Sequence, residues 1–246
     1  MQGRFQIPDL MPLISWEHFF FAWKVKSHSC EAEDLQRDAI GLVEKYGNEI
    51  SVGYVLQPYV ASVDTDDIII GGKRITFLRQ QVPNADGSCL CISDFVCNGD
   101  TVGVFATSVK HSCRVLDSTT DDPYTTMLLT TISDRLAEAA AEQVQKEAVK
   151  TMDFKDGNVI RPAVGYPSVP DMSINFLLNE LCRFDQIGIT LTETGMMRPH
   201  SSVSGFIISH PQARYFSVGQ ISKEQVEDYA NRRGQTLEET MKYIYA

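Results

Sequence analysis

One segment of the sequence, IRPAVGYPSVPD at 160–171, carries residue types suited to holding a small polar ligand. We call it the proline loop. Arg161 offers a planar guanidinium fork that fits a carboxylate, and Tyr166 offers a flat apolar face with a polar tip. Gly165 permits close backbone approach, and the prolines fix φ, so little conformational entropy remains to be lost on binding. These residues suit a small zwitterion with a flat ring. Proline-rich connections between helices are common, however, and the residues alone favour a structural connection.

Other residues with chemical potential are scattered. The five histidines are isolated, and a structural or surface role fits each better than that of a general base. Glu138 and Glu142 share one face of a predicted helix, where a solvated face is the simplest interpretation; a Glu138 directed toward the sheet would need a partner. Cys89 and Cys91 have strand spacing, but the sequence has no CxxC and no histidine at a ligand spacing, so we expect no metal site. We expect the cysteines to be free, buried thiols.

Composition excludes several classes of protein. The chain has 246 residues, 43% of them hydrophobic, and a formal net charge of -10, with no cluster of Lys and Arg that would neutralise nucleic-acid phosphates. The motifs GxxxxGK[ST], GxGxxG, GxSxG and HExxH are absent, which argues against phosphate-cradling and nucleophile-elbow enzymes. The apolar stretch LMPLISWEHFFFAW is interrupted by Glu17 and His18 and is too short for a membrane span. It also lacks the features of a signal peptide, so we expect a cytoplasmic protein.

The pattern of hydrophobic and turn residues predicts a single α+β domain, 1–246, with a largely antiparallel sheet. Helices are predicted over SWEHFFFAW, EAEDLQRDAIGLVEKYG, YTTMLLTTISDRLAEAAAEQVQKEAVK, SINFLLNELCRF, SKEQVEDYANRRG and TLEETMKYIY. Strands are predicted over ISVGYVLQ, DDIIIGGKRITFL, SCLCISDFV, TVGVFATSV, GITLTET, SVSGFIISH and ARYFSVGQI. Gly71 and Gly72 indicate a hairpin turn, Gly47 a helix end, and Ser173 a helix N-cap. Asp121, Asp122 and Pro123 indicate the start of a helix, and Thr236 with Glu239 has the capping-box spacing.

Several motifs together resemble one family. The segments IRPAVGYPSVPD, SDRLAEAAAE, SVSGFIISHPQARYFSVGQI and QVEDYANRRG, with DFV near Asp94 and LRQQ near Leu78, are similar to the C-terminal reactivation domain of cobalamin-dependent methionine synthase. The likeness extends from about Trp16 to the C-terminus. It implies that family's fold, a C-shaped α+β domain with a twisted, mainly antiparallel sheet and flanking helices. It also implies binding of S-adenosylmethionine.

The resemblance implies an accessory role in reductive methylation. In this family the domain docks on the cobalamin-binding module, a flavodoxin-like donor supplies an electron to cob(II)alamin, and S-adenosylmethionine supplies a methyl group. The chain is too short to hold the other modules of a methionine synthase. If Met1 is the natural start, we expect a free-standing domain that acts on the cobalamin of a separate protein; otherwise the chain is an excised fragment. The MQGRF start favours the free-standing domain. Two alternatives stay open: a non-catalytic interaction module that has lost S-adenosylmethionine, and an activator of another corrinoid methyltransferase.

The resemblance also assigns binding residues and no catalytic acid, base or nucleophile. Arg161 would clamp the carboxylate of the ligand, and Glu138 would meet a positive or hydroxylic part of it. Ala163, Gly165 and Tyr166 would present backbone groups and a side-chain wall to the adenosine end. Tyr215 and Phe216 match the family's strand pair beside the ligand.

Four positions depart from the family pattern. Ser15 replaces a carboxylate expected to help hold the amino group of the ligand, and a serine hydroxyl cannot neutralise an ammonium. Met172 stands where a histidine is common, and Arg198 and His200 stand where tryptophan and glycine are expected. These departures leave the proline loop unchanged, but they put the strength of S-adenosylmethionine binding in question.

Overall fold

An antiparallel sheet flanked by helices forms the fold seen in a computed structural model, which describes residues 1–119, 121–154 and 156–244. The helices are α1 (Ile7–Leu10), α2 (Trp16–Ala22), α3 (Cys30–Tyr46), α4 (Cys113–Thr119), α5 (Pro123–Thr151), α6 (Ile174–Cys182), α7 (Lys223–Arg233) and α8 (Leu237–Ile244). The strands are β1 (Gln2–Phe5), β2 (Ile50–Asp64), β3 (Asp67–Ile70), β4 (Lys73–Thr76), β5 (Thr101–His111), β6 (Asn158–Ile160), β7 (Thr190–Leu191), β8 (Met197–Arg198) and β9 (Ser202–His210). The predicted α+β class is confirmed.

Strand β2 organises the main sheet because it is long enough to pair with three others. The strand order of the main sheet is β4-β3-β2-β5-β9-β6, and β1 also pairs with β2. The first half of β2 pairs with β1 and the last residues with β3, while β5 lies along most of its other edge. Alternate residues of β2 face opposite sides. Leu56 therefore lies in one hydrophobic core, with α3 and α5, and Val55 lies in the other, with α6.

Helix α5 crosses one face of the sheet, and small residues on its inner side allow it to lie close to the strands. Asp122 caps its N-terminus by accepting the N–H of Tyr124, and Pro123 occupies the first turn, as predicted. Small residues such as Ala137 face the sheet, where Thr107 of β5 donates its hydroxyl to the Ala137 carbonyl at 3.0 Å. Within the described residues, no helix is long and apolar enough to cross a membrane.

The hairpin and most of the long elements follow the sequence prediction, but three predicted strands do not. SCLCISDFV forms no strand; its centre is a short 3-10 turn (Ile92–Phe95) in which the Asp94 carboxylate accepts the N–H of Cys91 at 2.8 Å. ARYFSVGQI also forms no strand, because its residues bond to the proline loop instead, for example Val218 N–H to the Pro167 carbonyl at 2.9 Å. GITLTET pairs only through β7 and β8.

Two predicted helix signals act differently from their expected roles. Ser173 makes no capping bond to α6; it lies in the helical region and donates its hydroxyl to Asp171. Gly47 has an ordinary helical φ of -56° and continues α3 into a 3-10 turn, so the helix end does not depend on left-handed backbone. The capping box of Thr236 and Glu239 before α8 is confirmed. Tyr245, at the end of that predicted helix, lies outside the described residues.

The cysteines are unpaired, but the expectation that all are buried was wrong. Cys30, Cys97 and Cys113 are exposed. Burial raises the pKa of Cys91 to about 11 and that of Cys182 to about 12, so these two thiols stay protonated at neutral pH.

Substitution of Gly205 in β9 tests how closely the sheet packs against the proline loop. A Cβ there would overlap the Pro162 carbonyl oxygen and lie 2.8 Å from Ala163 Cα, and both are backbone atoms. We expect Gly205→Ala to lower the free energy of unfolding by about 1 to 3 kcal/mol, measured by urea denaturation. Gly41→Ala is the control, because nothing lies within 4 Å of a Cβ in this exposed part of α3. It should raise stability by about 0.5 to 1 kcal/mol. Equal stability of both variants would contradict this account of the contact.

Candidate ligand-binding site

The first part of the proline loop extends the sheet. The Pro162 carbonyl accepts the N–H of Phe206 at 3.0 Å, and the Val164 N–H donates to the Ser204 carbonyl at 2.9 Å. This backbone pairing with β9 continues beyond β6 and passes closest at Gly205, where there is no side chain. The position of the loop backbone is therefore set by a strand of the main sheet.

The middle of the loop turns sharply at Gly165. This residue has φ +85°, a conformation that favours glycine, and its N–H donates to the Val169 carbonyl at 2.8 Å. A Cβ at Gly165 would lie 2.7 Å from Met172 Sδ. The turn carries Tyr166 outward, with 47% of its surface exposed.

The end of the loop is held by Asp171, which is buried. One carboxylate oxygen accepts the N–H and the hydroxyl of Ser173, and the other accepts from Tyr229 at 2.7 Å and from Arg233. Burial, followed by the Asp171 charge, raises the pKa of Tyr229 well above its usual value, so its phenol remains a donor. A pair of charged groups from the loop and α7 thus fixes the last residue of the proline loop.

Glu138, Tyr166 and Arg161 meet above the loop. The Tyr166 phenol donates to Glu138 Oε1, and Arg161 Nη1 lies 3.7 Å from Glu138 Oε2. Glu138 projects from α5 and therefore has the partners that a carboxylate beside the sheet requires. Burial of the phenol, reinforced by the Glu138 charge, raises the pKa of Tyr166 above its usual value. Tyr166 accordingly keeps its proton at neutral pH.

Arg161 is positioned more firmly than its long side chain would suggest. Its guanidinium carbon lies 5.8 Å from the centre of the Phe105 ring, and its backbone N–H donates to the Tyr215 hydroxyl at 2.9 Å. Only 15% of the side chain is exposed. Nε is buried and has no hydrogen-bond partner within the described part of the chain. A buried cation with an unused donor is suited to binding an anion.

Three adjoining cavities surround this group, and all three are lined by Glu138 and Tyr166. The loop cavity, about 540 Å³, is lined by Glu138, Arg161, Pro162, Ala163, Tyr166, Pro167, Ser168, Tyr215, Phe216 and Ser217. The helix cavity, about 360 Å³, is lined by Leu13, Ser15, His18, Arg135, Glu138, Ala139, Glu142, Arg161 and Tyr166. The strand cavity, about 240 Å³, is lined by Asp134, Arg135, Ala137, Glu138, Tyr166, His200, Ser201, Ser202 and Val203.

The structure brings most of the proposed contact residues together. Glu138, Arg161, Ala163, Tyr166, Tyr215 and Phe216 all line the loop cavity. Gly165 does not; it shapes the turn beneath Tyr166. Sequence reasoning missed Arg135 and did not identify Glu142 as a cavity residue. Both lie one helical turn from Glu138, so the i, i+3 and i, i+4 spacing on α5 was the signal that could have found them.

Of the four residues that depart from the family pattern, two line one of these cavities and two do not. Ser15 caps α2, where its hydroxyl accepts the His18 N–H at 3.5 Å, and it lines the helix cavity. His200 lines the strand cavity. Met172 lies against Gly165, behind the turn, and Arg198 is exposed on β8. Only Ser15 and His200 are therefore in a position to touch a ligand.

Comparisons with known proteins identify a family and a similar solved structure. Residues 6–234 match the family described as vitamin B12 dependent methionine synthase, activation domain. A crystal structure of a MetH reactivation domain bound to AdoHcy superimposes with a TM-score of 0.88 at 27% sequence identity. The superposition covers 100% of this chain and 89% of that one.

Breaking the buried ion pair at the end of the loop should destabilise the protein strongly. We expect Arg233→Met to lower the free energy of unfolding by about 3 to 5 kcal/mol, because it leaves the Asp171 charge buried without its cation. Arg37→Met is the matched control, since its pair with Asp34 is exposed (72% and 67%) and should contribute less than about 1 kcal/mol. Urea denaturation measures both. A loss at Arg233 no larger than that at Arg37 would show that the buried pair does not hold the loop.

Proposed function

Because the chain belongs to the family of vitamin B12 dependent methionine synthase activation domains, we propose that it binds S-adenosylmethionine and supports reactivation of cobalamin. AdoHcy, the ligand of the similar structure, is S-adenosylmethionine without the transferable methyl group. That ligand has a carboxylate, an ammonium and a flat adenine ring, which are the features that the proline loop suits. The family match and the AdoHcy bound in the similar structure therefore support the same function.

The finer proposal concerns partners. We propose that the chain acts as a single domain on cob(II)alamin held by the cobalamin-binding module of a separate methionine synthase. A flavodoxin-like donor would supply the electron. Cobalamin is carried by the partner. S-adenosylmethionine supplies a methyl group when bound, and this chain orients the ligand and excludes water.

The observation that carries the proposal is the unused donor of Arg161. Its Nε is buried without a partner among residues 1–119, 121–154 and 156–244, and its Nη1 is 3.7 Å from Glu138, longer than a good charged hydrogen bond. A ligand carboxylate would satisfy this donor at the junction of the loop and helix cavities, which Arg161 lines together with Glu138. The residues present therefore fit the carboxylate end of S-adenosylmethionine.

The loop cavity fits the adenosine end. Tyr215 and Phe216 provide aromatic surface in this cavity, and Pro162 and Ala163 of the proline loop also line it. Phe216 is held edge-on against Phe95, with 6.1 Å between ring centres. Flat rings bind well against such aromatic and backbone surfaces.

Glu138 and Tyr166 would adjust to the ligand rather than transfer protons. Tyr166 keeps its proton at neutral pH because its pKa is raised, so its phenol remains a donor to Glu138. A ligand with a positive or hydroxylic group beside Glu138 would compete with Tyr166 for that carboxylate. The proposal contains no general acid or base.

Substitution of Arg161 tests the ligand assignment. Arg161→Ala should weaken binding of S-adenosylhomocysteine by about 1 to 3 kcal/mol, roughly five- to a hundredfold in Kd, measured by calorimetry. Arg37→Ala, at a distant exposed ion pair, should leave Kd unchanged. Methylthioadenosine, which lacks the carboxylate, should bind both variants alike. An unchanged Kd for S-adenosylhomocysteine in Arg161→Ala would remove Arg161 from the site.

Ligand-dependent stability separates the proposal from its main rival, a module that has lost the ligand. If the site is intact, S-adenosylmethionine at a hundred times its Kd should add about 2.7 kcal/mol to the free energy of unfolding and raise Tm. A thermal-shift titration that shows no dependence on S-adenosylmethionine would favour the interaction module. Reactivation assays with the cobalamin module of a methionine synthase and with another corrinoid protein then distinguish the remaining alternative.

A further inference from the structure

The helix cavity contains a balanced set of charges beside the proposed carboxylate site. It is lined by two arginines, Arg135 and Arg161, and by two glutamates, Glu138 and Glu142. An amino-acid ligand whose carboxylate binds Arg161 brings an ammonium group close to the same residue, because both groups are attached to one carbon. The ammonium needs a negative partner in this cavity.

Glu138 is already engaged. Its Oε1 accepts from the Tyr166 phenol, and its Oε2 is the oxygen nearest to Arg161, at 3.7 Å. A ligand ammonium would have to displace one of these neighbours to use this carboxylate.

Glu142 lies one helical turn further along α5 and is more easily released. Its present partner is Lys146 on the same helix, with 2.8 Å between the charged atoms and 46% exposure of both side chains. Exposed ion pairs of this kind contribute little to stability. Glu142 lines the helix cavity, whereas Lys146 does not, so the carboxylate can turn to the ligand while the lysine stays in solvent.

Ser15 completes the arrangement. It lines the same cavity and offers a hydroxyl, which can donate to or accept from a polar ligand but carries no charge. We infer that Glu142 supplies the negative charge that pairs with the ligand ammonium, with Ser15 as a neutral hydrogen-bonding neighbour. This inference rests on the proposed function.

The experiment compares two ligands that differ at the amino-acid end. S-adenosylhomocysteine carries the ammonium and no sulfonium charge, and methylthioadenosine carries neither the ammonium nor the carboxylate. In calorimetry on the whole chain, Glu142→Gln should weaken S-adenosylhomocysteine roughly ten- to fiftyfold. Binding of methylthioadenosine should change by less than about twofold, since it has no ammonium group for Glu142 to bind.

A matched control removes the same charge from the same helix. Glu147 is paired with Lys150 and bonded to Gln143, and it lines none of the three cavities. Glu147→Gln should therefore leave the Kd of both ligands unchanged. A loss in Glu147→Gln equal to that in Glu142→Gln would reduce the effect to net charge and overturn the inference.

A rescue variant gives a second, independent readout. Aspartate caps helices as well as serine does, so Ser15→Asp should preserve α2 while placing a carboxylate in the helix cavity. Combined with Glu142→Gln, it should recover most of the lost affinity for S-adenosylhomocysteine. A merely structural role of Glu142 would not be rescued in this way.

The outcomes separate this inference from the proposed function. If the unaltered chain binds S-adenosylhomocysteine, and Glu142→Gln binds it equally well or loses both ligands to the same degree, the inference fails and the proposed function stands. If the unaltered chain binds neither ligand, the proposed function fails, and the inference fails with it.

Discussion

The buried carboxylate of Asp171 is the constraint on which the candidate site depends. It ends the proline loop, accepts hydrogen bonds from the start of α6, and pairs with Arg233 of α7. The other end of the loop is held by backbone bonds to β9. These two anchors hold the backbone that carries Arg161 and Tyr166, and contacts with Phe105 and Glu138 hold their side chains. Buried ion pairs are costly to desolvate, and their best-supported benefit is a unique arrangement of the chain. That is the benefit a ligand site needs.

Within this frame, the polar groups of the site are arranged to exchange partners. Glu138 is shared between Tyr166 and Arg161, and Arg161 Nε has no hydrogen-bond partner in the part of the chain that the structure describes. A ligand that replaces these internal contacts does not have to desolvate isolated charges, because each charge already has a protein neighbour. The rigid parts of the site are thus backbone and aromatic surface, and its adaptable parts are charged side chains.

The sequence was sufficient where local chemistry decides the structure. The hairpin at Gly71 and Gly72, the Asp122 and Pro123 start of α5, and the Thr236 cap all follow from local preferences of the backbone. The sequence failed where distant partners decide. SCLCISDFV has strand composition, but Asp94 turns it by accepting a backbone N–H and by pairing with Arg79. ARYFSVGQI likewise forms hydrogen bonds with the proline loop, which lies some fifty residues earlier in the chain.

The candidate site likewise has one part that is visible in the sequence and another that only the tertiary structure brings together. Arg161, Gly165 and Tyr166 were visible as a local motif, whereas their meeting with Glu138 depends on how α5 crosses the sheet. Glu142 was interpreted as part of a solvated face, because helical spacing identifies a shared face and not what covers it. Only the tertiary structure shows that the face borders a cavity.

Strand β9 lies between β5 and the proline loop, and this order affects how the site forms during folding. The partners of β9 on β5 are roughly a hundred residues away along the chain. Their pairing must therefore overcome the entropy cost of closing a long loop before its contacts stabilise the sheet. The proline loop in turn takes its backbone partners from β9. We therefore expect ligand binding only after β9 has joined the sheet, because the backbone of the proline loop is held by that strand.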